Sequence, residues 1–382
     1  MAAQLKTDRH AHEHTESSPV TIEAKTVTVD LKRAAQDLDY AKSAVEGYKG
    51  FAVYDSRFAD IVKDAKLTRI QSREYQFAHE AGVYIKRTDK IYFTANFQTC
   101  DPIHIYSVEH SAPHTVSKVE HADVVQPNGA CNYKDKILYC SQGSHTTPSA
   151  LVLVDPTPSS PSSEILATNF QGRPFNSIND VVIHQSNDEL WFTDPTYGYE
   201  QAFRPSPDLP SQIYRFSPST GQMWMVADGF SQCNGLCFSP DYTHLYVTDT
   251  GACQAHDGGP KDGHNFSMNP RLPATIYEYD VVDNGTRLAN RRVFAYCDTG
   301  VPDGIKCDTQ GNVYSGCGDG VHVWDARGTL LGKIVTGAVC ANFCFSRGKG
   351  GEEGIWMFCE EELYFCQLRD GVRGALVDIE CL

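Results

Sequence analysis

The chain of 382 residues repeats one short unit six times, and this repetition limits its possible folds more than any other feature. Each copy contains a three-residue apolar or aromatic run that follows a polar turn. The runs are IYF at 91–93, ILY at 137–139, LWF at 190–192, LYV at 245–247, VYS at 313–315 and IWM at 355–357. Repeats spaced by a few tens of residues are typical of arrays in which each unit needs its neighbours to bury its faces.

Each run lies within a group of short strand-like segments. Alternating segments such as AGVYI, DVVIH and GLCFS precede the turns, and segments such as QIYRFS, TIYEYDVV and GVHVWD follow the runs. Helical periodicity is found only at 31–48. Each unit therefore predicts an antiparallel meander, and the sequence predicts an all-β fold: a six-bladed β-propeller with four-stranded antiparallel blades and an N-terminal extension.

The domain boundaries follow from the position of the first unit. We expect residues 1–50 to form a polar, partly helical extension and residues 51–382 to form the propeller. Ring closure needs a strand from before the first unit, and LTRIQS at 67–72 is the candidate. The segment 251–273 is rich in Gly and Pro and predicts a loop over one face.

Charge and composition exclude several classes of partner. The net charge is −15, from 48 acidic and 33 basic residues, so nucleic acid and anionic membranes are not expected partners. The sequence shows neither a membrane-spanning apolar stretch nor the apolar core of a secretory signal, and we expect a cytoplasmic protein. The 14 cysteines are then expected as free thiols. The pairs Cys233/Cys237 and Cys340/Cys344 have no partners at zinc-finger spacing.

The residue at the start of the strand before each turn is an acid or an amide in all six units. In chain order these residues are Glu80, Asn128, Asn179, Asn234, Asp303 and Asn342. The first strand of each propeller blade lines the axis, so the six positions form a ring of oxygen-bearing side chains. Such donors suit Ca²⁺, or another hard divalent ion, better than zinc or copper, which favour His or Cys.

The ring has a second interpretation. Asn and Asp at strand starts also cap backbone groups, and polar channels also bind water. The repeat pattern by itself leaves both interpretations open.

Four segments resemble the SMP-30/gluconolactonase/LRE family of six-bladed propellers, and in particular its fungal lactonohydrolases of the aldonolactone and pantolactone type. The resemblance covers residues 51–367 and is carried, in order, by HEAGVYIKRTDKIYFTAN, NSINDVVIHQSNDELWFTDPTYGY, QCNGLCFSPDYTHLYVTDTG and VPDGIKCDTQGNVYSGCGDGVHVWD. It implies one divalent cation, usually Ca²⁺, held by Glu80, Asn179, Asn234 and Asp303. It also implies that Asp303 acts as the proton donor and acceptor.

Other site residues are candidates for contacts with a substrate. Asn128 and Asn342 belong to the ring, and Tyr197 in DPTYGY can shape a pocket or pack at a blade edge. Ser177 stands where family members that act on sugar lactones have an arginine, and Arg173 is nearby in the sequence. His79 precedes Glu80, so strand alternation is expected to direct it away from the axis.

These features together predict a calcium-dependent lactonase that hydrolyses the ring ester of a small lactone to the hydroxy acid. The substrate would be an aldonolactone, a pantolactone or a biosynthetic lactone, and the sequence does not determine the oligomeric state. A G-x-S-x-G nucleophile elbow is absent from the sequence. The alternatives are another metal-dependent hydrolysis or an isomerisation at the same site, and a non-catalytic propeller that serves as an interaction platform.

Overall fold

Six blades, each built on four antiparallel strands and named 1 to 6 in chain order, surround one axis; the sheets of blades 5 and 6 have further strands at their outer edges. The computed structural model describes residues 19–156, 162–255 and 266–376. The first strand of each blade contacts the first strand of the next, and that of blade 6 contacts that of blade 1. The predicted six-bladed β-propeller is therefore confirmed.

The strands are short and are connected as meanders. Blades 1 to 3 comprise Glu80–Ile85, Lys90–Thr94, Ile105–Glu109 and Val116–Val119; Pro127–Tyr133, Lys136–Ser141, Ala150–Val154 and Ser163–Ala167; and Val181–His184, Glu189–Asp194, Gln212–Phe216 and Met223–Ala227. Blades 4 to 6 comprise Cys233–Phe238, His244–Asp249, Thr275–Val282 and Arg287–Tyr296; Ile305–Cys307, Val313–Cys317, Gly320–Trp324 and Leu330–Val335; and Asn342–Arg347, Glu353–Cys359, Glu362–Gln367 and Lys66–Ser72.

The ring closes through a strand from the N-terminal part of the chain. Lys66–Ser72 pairs antiparallel with Glu362–Gln367 and becomes the outer strand of blade 6. Leu67 and Ile70 of this strand are buried. The predicted closing segment 67–72 is thus confirmed, and the two ends of the propeller are held together by a sheet.

The chain before the closing strand adds further strands and three helices. Gly50–Val53 pairs with Leu330–Val335 of blade 5, Lys25–Thr28 pairs parallel with Gly50–Val53, and Val20–Ile22 pairs with Lys66–Ser72. The helices in this segment are Leu31–Gln36, Leu38–Ser43 and Ser56–Ile61, and Tyr197–Glu200 is a short helix in blade 3.

The predicted helical patch at 31–48 forms two helices rather than one. The first ends at Gln36. The carboxylate of the next residue, Asp37, accepts a hydrogen bond from the Tyr40 amide at 3.0 Å and so caps the start of the second helix. Within the described residues, every helix is too short and too polar to cross a membrane.

Two small ribbons lie outside the blades. Asn169–Phe170 pairs with Arg173–Pro174, and Cys253–Ala255 pairs with Phe266–Met268. The second ribbon belongs to the predicted loop at 251–273, of which residues 256–265 are not among the described residues.

The hydrophobic core is divided among the interfaces between blades. One cluster, for example, joins Trp191 and Ile213 of blade 3 to Leu236 and Leu245 of blade 4. Both faces of a blade are covered by neighbours, so most strand residues are buried. The 13 described cysteines are all free thiols, as expected.

Candidate functional site

A cavity of about 280 Å³ opens at one end of the axis, where the inner strands begin. Five of the six predicted ring residues line it: Glu80, Asn128, Asn179, Asn234 and Asp303. These residues come from five different blades. Equivalent positions of the repeat therefore do converge at one point on the axis.

Hydroxyl groups from neighbouring blades hold the backbone of the ring. The Thr94 hydroxyl donates to the Asn128 carbonyl at 3.2 Å, and the Thr193 hydroxyl donates to the Asn234 carbonyl at 2.7 Å. The Thr248 hydroxyl donates in the same way to the Asp303 carbonyl at 2.9 Å. Each hydroxyl lies on the second strand of the preceding blade, so each bond sets one ring residue relative to the blade before it.

Glycine follows the ring residue in three blades because the next blade approaches closely there. A Cβ atom on Gly235 would lie 2.5 Å from the Asp303 carbonyl oxygen. A Cβ atom on Gly304 would lie 2.3 Å from the Asn342 side chain. Distances this short require the backbone or side chain to move, so glycine keeps the ring narrow.

Three side-chain oxygens of the ring are buried without a hydrogen-bond partner: Asn179 Oδ1, Asn234 Oδ1 and Asp303 Oδ1. Leaving a buried polar atom unpaired costs about 1–3 kcal/mol, and a charged one costs more. Glu80 lines the same cavity, and its Oε2 is held in place by a hydrogen bond from Asn342 Nδ2 at 2.7 Å. These convergent hard oxygens fit a divalent cation such as Ca²⁺.

The two ring carboxyl groups make the site electrostatically unusual. Burial raises the pKa of Glu80 well above its usual value, and the nearby Asp303 raises it further. Burial also raises the pKa of Asp303, to about 7, with Glu360 and Asp180 acting in the same direction. Without a cation, the fold therefore favours the protonated forms of both groups.

The remaining predicted residues occupy different places. Tyr197 lines the cavity, and its hydroxyl contacts that of Thr250. Asn342 is fully buried and lies behind Glu80 rather than in the cavity lining. Ser177 is also fully buried; its hydroxyl donates to the Pro195 carbonyl at 2.8 Å and accepts a bond from the Gly198 amide at 2.9 Å.

Arg173 also lies outside the cavity lining. Its guanidinium donates to the Asp208 carbonyl at 3.3 Å on the protein surface. The structure therefore brings neither this arginine nor Ser177 to the ring.

The expectation that His79 points away from the site was wrong. His79 lines the cavity, and its Nδ1 lies 2.8 Å from Glu360 Oε1. Asn96 donates to the other Glu360 oxygen at 3.0 Å. His79 precedes the regular strand that begins at Glu80, so strand alternation does not govern its direction.

Glu360 and Asn96 were not recognised from the sequence. Glu360 follows the second strand of blade 6 and has a φ of 60°. Glu361 and Glu362 follow it in the sequence, so no pattern distinguishes Glu360 from a surface residue.

The cavity walls combine amide groups with apolar side chains. Four glutamines supply donors and acceptors: Gln76, Gln98, Gln142 and Gln201. Phe266, Met268 and Val339 supply apolar surface on another part of the wall. Phe266 and Met268 come from the segment 251–273, for which a loop over one face was predicted.

A larger cavity of about 510 Å³ lies further along the same inner strands. Lys306, Cys131 and Tyr133 are among its lining residues, and the six ring residues are not. The smaller cavity therefore holds the convergent oxygens, and we take it as the candidate site.

Comparison with known proteins places the chain in a family. Residues 79–255 and 260–353 match the model of the SMP-30/Gluconolactonase/LRE-like region. The chain is 30% identical to lactonohydrolase oryL of Aspergillus oryzae over 308 residues, which are 78% of this chain and 69% of that protein. It is 31% identical to a gluconolactonase of Zymomonas mobilis over 223 residues, 55% of this chain and 54% of that protein.

Solved structures show the same architecture. A gluconolactonase from Xanthomonas campestris superposes with a TM-score of 0.66 at 23% identity, covering 84% of this chain and 95% of that chain. The calcium-binding protein regucalcin from Agrobacterium tumefaciens has a TM-score of 0.55 at 16% identity, covering 79% and 92%. These structures show the fold, and the sequence matches show that the chain belongs to the SMP-30/gluconolactonase/LRE-like family.

Proposed function

We propose that the protein is a calcium-dependent lactonase that hydrolyses the ring ester of a small lactone to its hydroxy acid. The observation that supports this most directly is the set of three unpartnered buried oxygens, on Asn179, Asn234 and Asp303, beside the Glu80 carboxylate. The relatives named lactonohydrolase and gluconolactonase support the reaction class.

Glu80, Asn179, Asn234 and Asp303 would hold the cation. When bound, Ca²⁺ supplies Lewis-acid stabilisation of negative charge on an ester oxygen. Asn342 keeps Glu80 in place through its 2.7 Å hydrogen bond to Oε2. Asn342 therefore positions Glu80, one of the residues that would hold the cation. Asn128 and Tyr197 line the cavity and are available to the substrate.

Asp303 is the residue that we assign to proton transfer. Its Oδ1 faces no donor in the structure, so it is available to a water molecule in the cavity. Asp303 would take the proton from the attacking water and return it to the leaving alkoxide. A carboxylate beside a cation is a weak base, which suits an activated ester such as a lactone better than an amide.

The cavity favours a small lactone with polar substituents. Its volume of about 280 Å³ lies at the lower end of the range of small-molecule sites. The glutamine side chains and the pair His79–Glu360 offer donors and acceptors for hydroxyl groups. Phe266 and Met268 can cover an apolar part of the same molecule.

Asp303→Asn at saturating calcium tests the proposal. Removing the proton acceptor should lower lactone turnover by at least about a hundredfold, measured by pH-stat on a panel of aldonolactones, pantolactone and simple alkyl lactones. Asp228→Asn is the matched control, because Asp228 is exposed and lies outside the cavity lining; it should keep full activity.

Two outcomes would contradict the proposal. One is that the calcium-loaded wild-type protein turns over no lactone of the panel. The other is that exhaustive removal of divalent cations leaves the activity unchanged.

A further inference from the structure

We propose that Cys297, Cys317 and His322 form a second metal site, separate from the ring, for a borderline-soft divalent cation of the zinc class. The two Sγ atoms and one imidazole nitrogen lie within 4.8 Å of one another. All three residues are buried. Among the described residues, no other group of three such side chains meets this criterion.

The topology of blades 4 and 5 brings the three residues together. Cys317 lies opposite Gly320, and His322 lies opposite Ser315, in neighbouring antiparallel strands of blade 5. Opposed residues project from the same face of a sheet, so His322 shares a face with Ser315. Cys317 is two residues after Ser315 on the same strand and therefore projects from that face as well. Cys297 follows the outer strand of blade 4, Arg287–Tyr296. A cation at this point would link two adjacent blades.

The histidine is already oriented for coordination. His322 Nε2 lies 2.5 Å from Asp319 Oδ1, as in zinc sites where a carboxylate accepts the proton of the non-coordinating nitrogen. This arrangement leaves the Nδ1 lone pair for a cation. Asp298 Oδ1 lies 3.7 Å from Nδ1, and its side chain is 52% exposed, so it connects the group with solvent.

The surrounding charges favour a cation. Lys333 Nζ binds Asp298 Oδ1 at 2.6 Å and lies 3.5 Å from Asp319 Oδ2. In the metal-free protein, two carboxylates face one ammonium group and the cysteines are thiols, which would release their protons on binding a cation. A divalent cation would then offset most of the negative charge of the two thiolates and two carboxylates. Zinc prefers thiolate and imidazole ligands, whereas the ring offers only oxygens. The two sites should therefore select different ions.

The site lies behind the rim of the candidate cavity. Gly300 and Gly318, close to Cys297 and Cys317 in the chain, both line that cavity. Cys297 Sγ donates to the Thr299 carbonyl at 3.0 Å, and the Gly318 amide donates to the same carbonyl at 2.8 Å. A bound cation would thus fix the two rim segments, one of which leads to Asp303.

Cobalt binding tests the proposal through a readout other than activity. Protein freed of metal, kept reduced and saturated with Ca²⁺ should bind one equivalent of Co²⁺, with the charge-transfer and visible bands of tetrahedral thiolate coordination. Cys317→Ala should abolish these bands, and Asp319→Asn should weaken binding roughly 10–100-fold. Cys237→Ala is the matched control: Cys237 and Cys307 are also a buried inter-blade pair, with Sγ atoms 3.6 Å apart, but they belong to no such group.

Absence of the thiolate bands in the wild-type protein would overturn the proposal, as would their persistence in Cys317→Ala. A second measurement needs no variant. Zinc should slow alkylation of Cys297 and Cys317 in mildly destabilising urea, where local opening exposes buried thiols, and should leave alkylation of Cys237 and Cys307 unaffected, as measured by peptide mass spectrometry. Equal alkylation of Cys297 and Cys317 with and without zinc would also overturn it.

Discussion

The narrowness of the ring depends on single residues that follow its members. Gly235 and Gly304 come directly after Asn234 and Asp303, and each meets the ring residue or backbone of the next blade. Any side chain at these positions would separate two neighbouring blades at the axis. The spacing of the oxygens is therefore determined partly by residues that offer no oxygen themselves.

Gly235→Ala should lower both stability and calcium affinity. The added Cβ would lie 2.5 Å from the Asp303 carbonyl and would displace Asp303. We expect destabilisation of about 1–3 kcal/mol, as for other overpacked sites, and weaker calcium binding by isothermal titration calorimetry. Gly221→Ala is the control, since Gly221 has open space around it; it should lose some stability and keep its calcium affinity. Unchanged affinity in Gly235→Ala would contradict this role.

The ring carboxyl groups should make the stability of the metal-free protein depend on pH. The pKa of Asp303 is raised from 3.8 to about 7, and that of Glu80 is raised in the same direction. The folded state then retains protons that the unfolded state releases, so the free energy of unfolding falls as pH rises through this window. Calcium should remove the loss, because it stabilises the carboxylates.

Urea unfolding in EDTA and in calcium, at about pH 5 and about pH 8, checks this expectation. Asp303→Asn is the informative variant, since it removes one of the two titrating groups and should flatten the dependence in EDTA. Equal pH dependence with and without calcium would show that the ring is not its source.

Threonines on the second strands of three blades make the same hydrogen bond to the neighbouring blade. Thr94, Thr193 and Thr248 end or nearly end their strands, and each donates its hydroxyl hydrogen to the carbonyl of the ring residue in the next blade. Blades thus contact each other at the axis through directional bonds as well as apolar packing. This explains how side chains from five blades can converge on one small site.

Thr193→Val should loosen this junction without changing the volume of the side chain. It leaves the buried Asn234 carbonyl without its 2.7 Å hydrogen bond, which should cost about 1–3 kcal/mol. Thermal unfolding should show the loss, and calcium affinity should fall because Asn234 moves. Thr28→Val on an exposed strand is the control and should show neither effect. Normal calcium affinity in Thr193→Val would mean that the bond does not position the ring.

The molecule as a whole is held together by a strand that comes from the other end of the chain. Lys66–Ser72 completes blade 6, and Gly50–Val53 extends blade 5. Without the first of these strands, blade 6 would expose the edge of Glu362–Gln367. The closed ring makes the stability of every blade depend on this contact.

Leu67→Ala should therefore destabilise the whole propeller. Leu67 lies on the closing strand and is fully buried in a hydrophobic cluster with residues of blades 5 and 6. Truncating a buried leucine to alanine costs about 2–5 kcal/mol of unfolding free energy. Differential scanning calorimetry should show one transition at a lower temperature. Leu38→Ala, on an exposed helix position, is the control and should change little. A separate early transition in Leu67→Ala, with the rest of the molecule unaffected, would contradict closure through this strand.

The sequence by itself determined the repeat, the number of blades, the closing segment and the positions of the six ring residues. These follow from local patterns, because every blade has the same strand period and the same polar residue at the same place. Only the tertiary structure decided the direction of His79, the contribution of Glu360 and the withdrawal of Ser177 and Asn342 from the cavity lining. It also decided which cysteines meet: Cys297 lies close to Cys317 and His322, and no sequence spacing had singled out these residues. The contacts of Glu360 with His79 and of Asn342 with Glu80 join the last blade to the first, and the others depend on how side chains pack within and between adjacent blades. No local pattern records these contacts.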